Sequence, residues 1–432
     1  MHLRTEIGIV GAGPAGARAA ELLAAAGAEV MLFDPRAPWE KPCGGGLTAA
    51  AIDNIPALQR VLPQARHIDT VRLEAGDTTL VIPLQRPLHI ISRTALGLWQ
   101  LDRARSAGAV LEPVAVRAIR RAPEAGWELD LGEHGTATVA LLVGADGAAS
   151  RVRQAVAPDL EIELAPTRVA YPPGAGRRPS EMGLRFFPDA EGYAWDFPRP
   201  DHRSIGVGVA PGTWSRHRMD EEVNRYWNDL GRCRCVEVLR AGAVIGTAGR
   251  RLDWRYALVG QRDYALVGDA AGFADPATGE GIQNAIRSGE FLAEAFLQSG
   301  DFGAYTRIAR SRLEREFAVA RRVRRLLYAG RLASRLIELA ERHALAHALL
   351  ATIVDGANAH DPSLLRRIPA EWMRLRRDRR RPQDFGAERP HPPAELCGTA
   401  DCEVPAHDCC GVRIETIVTA KPTTGRGHDA GT

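Results

Sequence analysis

The sequence predicts an α/β fold with an inserted antiparallel β-sheet domain and a C-terminal helical region. Residues 5–33 open the chain with a strand, a glycine-rich turn, a helix and a second strand. Residues 166–250 contain short strand-like segments that alternate with turn-forming residues. After Gly300, apolar residues recur at steps of three and four, which is typical of amphipathic helices. These three observations predict the fold class.

The composition is that of an ordinary water-soluble globular protein. Hydrophobic residues make up 45% of the 432 positions and charged residues 25%, which excludes a mostly disordered chain. The net charge of +3 gives no reason to expect a nucleic-acid partner. We expect a cytoplasmic protein, because the N-terminus leaves no room for a secretory signal region. No segment reaches the roughly 18 consecutive apolar residues of a membrane-spanning helix.

The order of the predicted elements indicates that the chain leaves the first domain and later returns to it. The predicted strands and helices of the first domain lie at residues 5–10, 14–26, 28–33, 92–107, 127–131 and 139–143. Strands at 182–187, 193–197 and 204–209 form the inserted layer, and a strand at 264–267 and a helix at about 281–298 belong to the first domain again. The predicted boundaries are 1–165 and 251–300 for the first domain, 166–250 for the inserted domain, 301–381 for the C-terminal helices and 382–432 for a mobile, cysteine-containing tail.

A glycine fingerprint lies between the first strand and the first helix. Gly11 permits a tight turn, Gly13 lets the backbone approach a pyrophosphate, and Gly16 allows close packing of the helix on the strand. Ala15 lies within the same turn. Asp34 ends the second strand, where its carboxylate can accept hydrogen bonds from the hydroxyls of an adenosine ribose. The pattern predicts the binding of an adenine dinucleotide.

Two further clusters at strand ends favour FAD over NAD as that dinucleotide. They contribute the candidate cofactor-binding residues Asp146, Gly147, Asp269, Gly279, Gly281 and Ile282. Asp269 can hydrogen-bond a ribityl hydroxyl, while the backbone amides of 279–282 and the dipole of the following helix can face the pyrimidine end of a flavin. Either cluster alone is equally an ordinary strand-to-helix turn with an aspartate cap. Three such sites in this order predict an FAD-binding Rossmann-like domain.

The chain resembles the geranylgeranyl reductase family within the flavoproteins of the para-hydroxybenzoate hydroxylase fold, over about residues 7–298. The fold is marked by the glycine fingerprint, by Ser92-Arg93 opening a helix, and by the clusters at 146–147 and 268–269. The family is marked by Lys-Pro-Cys-Gly-Gly at 41–45, Tyr-Ala-Trp-Asp-Phe-Pro at 193–198, and the run from Gly268 to Ile282.

The resemblance assigns roles to several residues. It implies that Arg93 contacts the FAD phosphates and that the loop of Lys41, Cys43, Gly44 and Gly45 lies beside the isoalloxazine. Tyr193 and Trp195 are then expected to face a substrate cavity and, with Cys43, are the candidate catalytic residues. For Cys43 the alternative is a small buried residue. For the two aromatic residues the alternative is an ordinary place in the core.

The function predicted in this way is FAD-dependent reduction of carbon–carbon double bonds in an isoprenoid, a prenyl lipid or a similarly apolar small molecule. Because only one complete dinucleotide fingerprint is present, NADPH or a ferredoxin-like protein is expected to dock transiently as the electron donor. One alternative is an FAD-dependent monooxygenase or halogenase of the same fold. Aromatic hydroxylases resemble one another in having a histidine at the place that Gly272 occupies in this chain. This difference argues against a hydroxylase. A second alternative is a flavin-binding protein without turnover.

The remaining motifs carry less specific predictions. Cys233 and Cys235 have no matching pair nearby, and no metal site is expected for Cys397, Cys402, Cys409, Cys410 and His407, whose spacing matches no recognised zinc pattern. Residues 364–381 contain eight arginines interleaved with apolar side chains. That run is either a solvated basic helix or a peripheral contact with an anionic membrane surface.

Overall fold

Two β-sheets and eight α-helices organise the part of the chain that the structure describes. The structure is a computed structural model that describes residues 2–174, 178–230, 239–247, 259–328, 332–342, 347 and 350. The strands are β1 His2–Val10, β2 Val30–Phe33, β3 Gly46–Leu47, β4 Arg66–Ala75, β5 Thr78–Ile90, β6 Val110–Glu112, β7 Ala118–Arg121, β8 Trp127–Asp130, β9 Thr136–Gly144, β10 Glu163–Tyr171, β11 Glu181–Phe186, β12 Gly192–Pro198, β13 Arg203–Val209, β14 Leu239–Thr247 and β15 Tyr264–Leu266. The helices are α1 Pro14–Ala25, α2 Ala49–Asn54, α3 Arg93–Ser106, α4 Arg151–Val156, α5 Arg216–Asp229, α6 Ile282–Ser299, α7 Tyr305–Leu327 and α8 Leu332–Arg342.

The first sheet has a parallel centre. Its order is β6-β2-β1-β9-β8-β7, with β15 paired in parallel with β9. In the register of the centre, Gly8 of β1 lies opposite Met31 and Leu142. The strands are rich in apolar residues, and Ile7 and Ile9 are fully buried, as expected for a parallel sheet covered on both faces.

Helices α1 and α6 pack closely against each other beside this sheet. Gly289 of α6 makes the approach possible, because a Cβ there would lie 2.8 Å from the backbone oxygen of Ala15. An ion pair between Arg18 and Glu290, 2.7 Å long, joins the same two helices. Residues from both ends of the first domain are therefore held together next to the glycine fingerprint.

The second sheet is antiparallel except where β11 pairs with β4. Its order is β14-β10-β13-β12-β11-β4-β5-β3. Alternation along β12 divides its side chains: Ala194 packs with residues of α5, while Tyr193 and Trp195 belong to the opposite face. Gly206 of β13 gives Trp195 its space, because a Cβ at 206 would lie 2.2 Å from the indole ring.

The predicted fold class is confirmed, and the predicted elements agree with the structure within a few residues. One grouping differs. The prediction placed all of 1–165 in the first domain, but β3, β4 and β5 pair within the second sheet. These strands join it because β4 and β5 form a hairpin at Gly76 and β4 then pairs with β11. Cys233, Cys235, the basic run 364–381 and the tail 382–432 lie outside the described residues.

Two amphipathic helices, α7 and α8, follow α6, as the period of the apolar residues predicts. Among the described residues, no helix combines the length and apolar character needed to cross a bilayer.

Candidate active site

A cavity of about 1140 Å³ extends from the glycine fingerprint to the second sheet. The structure brings nearly all candidate site residues around it: Gly11, Gly13, Ala15, Asp34, Lys41, Cys43, Gly44, Gly45, Arg93, Asp146, Gly147, Tyr193, Trp195, Asp269, Gly279, Gly281 and Ile282. Gly16 is the exception and lies behind the turn. The cavity has a polar part at the first sheet and an apolar part at the second.

The fingerprint turn forms one wall of the polar part. Gly11 has a φ of +98°, which favours glycine, and Gly16 approaches the strand so closely that a Cβ would lie 2.0 Å from the oxygen of Gly11. A Cβ on Gly13 would meet nothing within 4 Å. No side chain caps the first turn of α1. The turn thus leaves space and backbone amides for an anionic group.

Asp34 is fixed beside this turn by three backbone amides. One carboxylate oxygen accepts from the amide of Ala12 at 3.0 Å, and the other accepts from Arg36 at 2.9 Å and Ala37 at 3.2 Å. A carboxylate has about four acceptor sites, so Asp34 retains capacity for a ribose hydroxyl.

Asp146 lines the cavity and also caps the following helix. Its carboxylate accepts from the hydroxyl of Ser150 at 2.5 Å and from the amides of Arg151 at 2.7 Å and Val152 at 3.3 Å. It therefore stabilises the start of α4. Gly147, with a φ of +80°, exposes backbone to the cavity.

Lys41 and Asp269 form an ion pair across the polar part, with 2.9 Å between Nζ and Oδ2. The pair joins the 41–45 loop to the loop that precedes α6. Neighbouring turns hold that second loop in shape: Asp275 accepts from the amides of Ala277 and Thr278, both at 2.8 Å. The two loops that are expected to flank a flavin are thus connected by a charged contact.

The backbone of Cys43 is held by a buried arginine that the sequence reasoning missed. Arg199 is fully buried, pairs with Glu40 and donates from Nη2 to the carbonyl oxygen of Cys43 at 2.7 Å. Ser204 donates to the same carbonyl at 3.2 Å and accepts from the indole of Trp195 at 3.1 Å. The carbonyl of Cys43 is therefore fixed from two sides.

The thiol of Cys43 lies at the start of a backbone turn. Its sulfur accepts from the amide of Gly45 at 3.2 Å. Gly44 is packed against the ring of Phe197, since a Cβ at 44 would lie 2.4 Å from that ring. The side chain is partly buried and lines the cavity where the polar and apolar parts meet.

Arg93 begins α3 next to this loop. Its backbone amide donates to Glu40 at 3.1 Å, while its buried Nε has no hydrogen-bond partner in the described structure. A buried guanidinium donor that faces a cavity fits a phosphate. Together with the open space at Gly13, this fits the binding of FAD.

Aromatic and aliphatic side chains line the apolar part. One wall is the sheet face that carries Met182, Leu184, Phe186, Tyr193, Trp195 and Phe197, and the opposite wall comprises Leu327, Tyr328, Ala333, Leu336, Ile337 and Leu350. The hydroxyl of Tyr193 donates to the carbonyl of Thr278, and that of Tyr328 donates to Ala277 at 2.9 Å. Burial raises the pKa of Tyr193, so this phenol remains neutral and holds the 275–281 loop.

Glu280 and Tyr328 are further lining residues that the sequence reasoning missed. Glu280 lies within a motif for which the sequence predicts a role of the backbone amides alone. Burial and the neighbouring Asp275 raise the pKa of Glu280 to about 7. No sequence pattern singles out Tyr328, which directly follows α7.

The sequence matches known proteins along most of its length. The family described as "FAD binding domain" matches residues 4–52. A geranylgeranyl diphosphate reductase from Rhodobacter capsulatus is 32% identical over 341 residues, which cover 74% of this chain and 82% of that protein. A chloroplastic geranylgeranyl diphosphate reductase from Nicotiana tabacum is 28% identical, covering 69% of this chain and 67% of the plant protein. A menaquinone reductase from Mycolicibacterium smegmatis is 29% identical, covering 76% and 85%.

Solved structures share the fold at lower sequence identity. A geranylgeranyl bacteriochlorophyll reductase-like protein from Thermoplasma acidophilum superposes with a TM-score of 0.68 at 17% identity, covering 87% of this chain and all of that one. A probable FAD-dependent monooxygenase from Pseudomonas aeruginosa has a TM-score of 0.58 at 18% identity, covering 77% and 98%. At these identities the likeness concerns the fold, which both kinds of protein have in common.

Proposed function

We propose, on the premise that this chain belongs to the geranylgeranyl reductase family of FAD-dependent oxidoreductases, that it adds hydrogen across carbon–carbon double bonds of an isoprenoid or prenyl-lipid chain. The observation that carries the proposal is the continuity of one cavity, in which the cofactor-binding loops open directly into a chamber of apolar side chains. Such a chamber suits an extended hydrocarbon and excludes water from it.

Each part of the cavity then has a role. Gly13, the first turn of α1 and Arg93 would hold the pyrophosphate of FAD, and Asp34 the adenosine ribose. Asp269 would contact the ribityl chain. When bound and reduced, FAD supplies a hydride. Cys43 lies where the two parts of the cavity meet, which is where a double bond must lie to be reduced.

The wall residues position the loops around that meeting point. Arg199 and Ser204 fix the carbonyl of Cys43, while Tyr193 and Tyr328 hold the 275–281 loop through their hydroxyls. Trp195 is 5% exposed; it lines the cavity, and its indole donates a hydrogen bond to Ser204. These contacts preorganise the site before substrate enters.

Anaerobic turnover with chemically reduced, FAD-loaded protein tests the proposal. A panel of prenyl lipids and isoprenoid diphosphates is incubated with it, and mass spectrometry looks for gains of two hydrogens. Hydroxylated or halogenated product that forms only with oxygen would instead support the monooxygenase or halogenase alternative. Bound flavin with no product under either condition would support a non-catalytic flavoprotein.

A pair of tryptophan variants tests the chamber itself. Leu336→Trp fills the apolar part and should reduce substrate turnover at least tenfold while FAD stays bound, because the ring occupies hydrocarbon space. Leu297→Trp is the matched control, since Leu297 is 70% exposed on α6. Equal turnover in both variants would contradict the assignment of the chamber.

The proposed reaction also needs an electron donor. NADPH or a ferredoxin-like protein is the proposed reductant, and anaerobic mixing with each, followed by loss of oxidised-flavin absorbance, distinguishes them. Peripheral membrane contact through residues 364–381 is tested by sedimentation with anionic and neutral vesicles.

A further inference from the structure

Glu280 lies in the loop before α6, where that loop approaches the segment that follows the 41–45 loop. It follows Gly279 in the loop before α6, lines the cavity, and its Oε1 lies 3.4 Å from the hydroxyl of Thr48. Thr48 caps α2, directly after the 41–46 segment. Glu280 is partly buried, and its exposed surface opens to the cavity.

None of the charged and titratable groups that the structure describes around Glu280 forms an ion pair with it. Asp275 lies on the same loop, Lys41 is paired with Asp269, and Tyr193 is the neighbouring phenol. Within the part of the chain that the structure describes, no lysine or arginine lies within ion-pair distance of Glu280. A buried carboxyl beside another acid favours its neutral form, and the pKa of about 7 follows from that.

Adding negative charge to the cavity must favour protonation further. A cofactor that accepts two electrons and one proton becomes more negative by one charge. Like charges at short range in a poorly solvated site raise the pKa of a carboxyl group. Near neutral pH, a second proton is taken up most readily by Glu280, whose carboxylate has no ion pair in the described structure and accepts one side-chain hydrogen bond, from Thr48.

We propose that Glu280 takes up a proton from solvent when FAD bound in this cavity is reduced. This inference rests on the proposed cofactor site. In the balanced step, two electrons and one proton from the reductant and solvent enter the cofactor, and a second proton converts the carboxylate of Glu280 to the acid. The proton is then held beside the junction of the cavity, available to the second carbon of a double bond.

The pH dependence of the midpoint potential tests the proposal without any substrate. A couple that takes up two electrons falls by about 30 mV per pH unit for each proton taken up. In full-length, FAD-loaded wild-type protein we expect a slope of about 60 mV per unit from pH 7 upward until Glu280 stays ionised in both states. In Glu280→Gln the slope should stay at about 30 mV per unit.

Glu316→Gln is the matched control. Glu316 lines the same cavity but is paired with both terminal nitrogens of Arg287, at 2.7 and 3.0 Å. Glu316→Gln should change the midpoint potential without changing the slope of that potential against pH. Equal slopes in the wild type and in Glu280→Gln would overturn the proposal.

Infrared difference spectra of the wild type provide a second measurement should Glu280→Gln fail to retain FAD. Reduction should produce a carboxylic-acid carbonyl band that shifts in heavy water, and its absence would overturn the proposal. Both measurements use chemical reductant alone. A wild type that shows the slope and the band but saturates no alkene would therefore contradict the proposed function and leave this inference standing.

Discussion

Alanine at Gly13 should abolish tight FAD binding without unfolding the protein, whereas alanine at Gly16 should disturb the fold itself. Gly13 has a φ of −72° and a ψ of −174°, which any residue adopts, and its added Cβ meets nothing within 4 Å. At Gly16 the Cβ would lie 2.0 Å from the backbone oxygen of Gly11. That oxygen belongs to the tight turn and cannot move aside.

The expected magnitudes separate the two variants. For Gly13→Ala the unfolding free energy of the cofactor-free protein should change by no more than about 1 kcal/mol, the difference between glycine and alanine as helix caps. The methyl group occupies the approach of the pyrophosphate. Loss of one charge-assisted hydrogen bond costs about 1.5–3 kcal/mol, or roughly a 10- to 150-fold weaker Kd. Gly16→Ala should cost about 1–3 kcal/mol or more in stability through overpacking.

Two titrations measure these effects. Urea unfolding of the cofactor-free proteins, followed by circular dichroism, gives stability, and quenching of flavin fluorescence gives the Kd for FAD. Gly13→Ala should be as stable as the wild type and bind poorly. Wild-type affinity in a folded Gly13→Ala variant would refute the placement of the pyrophosphate, and a Gly16→Ala variant of wild-type stability would refute the close approach.

Four further predictions concern the loops. Asp269→Ala should weaken FAD retention by about 1.5–3 kcal/mol, because it removes a charge-assisted hydrogen bond and leaves Lys41 unpaired. Cys43→Ala should slow substrate reduction or change which double bonds are saturated, while FAD stays bound. Arg199→Met should raise the alkylation rate of Cys43 several-fold, because the loop loses its buried anchor. Glu280→Gln should stabilise the cofactor-free protein at pH 8 relative to the wild type by on the order of 2–3 kcal/mol, measured by denaturant unfolding.

The sign of the last prediction follows from linkage. The pKa of Glu280 is raised from an ordinary 4.5 to about 7 in the folded protein. Its protonated form therefore contributes stability that is fully present below the ordinary pKa and is lost as the pH rises to about 7. The advantage of the variant should be absent near pH 4 and complete above pH 7. A pH-independent difference would contradict the raised pKa of the Glu280 carboxyl group.

Outcomes that contradict the other three are equally specific. Unchanged FAD affinity in Asp269→Ala would make its loop a purely structural turn. Loss of FAD from Cys43→Ala would place the thiol in cofactor binding rather than in substrate reduction. Arg225→Met is the control for Arg199→Met, because Arg225 is 65% exposed on α5; equal alkylation rates in both would remove the anchoring role.

The opening βαβ unit could be predicted because its sequence constraints are local. Glycines at 11, 13 and 16 mark the turn, and Gly27, with a φ of +91°, ends α1 where predicted. Strand β12 was recognisable from its alternating aromatic residues. The β4–β5 hairpin was missed, because prolines and charged residues interrupt its alternation and its register shifts between Ile68 and Thr70. Its partner β11 lies far along the chain, which no local pattern records.

In the site, too, residues in local sequence patterns could be predicted and residues placed by distant contacts could not. The proposed cofactor-binding residues lie in motifs, since close backbone approach requires glycine at fixed spacings. Arg199 holds Cys43 from 156 positions away, and Tyr328 reaches Ala277 from 51 positions away. Their roles depend on tertiary contacts, so a single sequence offered no reason to select them. Glu280 lies in a recognisable motif, but the sequence predicts no role for its side chain, because its protonation depends on burial.

The packing of α1 against α6 has a consequence for biosynthesis. The fingerprint turn emerges early from the ribosome, but Asp269 and the start of α6 emerge only after the whole second sheet. The proposed FAD site is therefore incomplete on the nascent chain, and we expect that FAD does not guide its early folding. The cofactor stabilises the finished protein by mass action, so flavin supply should govern how long completed chains persist rather than how many are made.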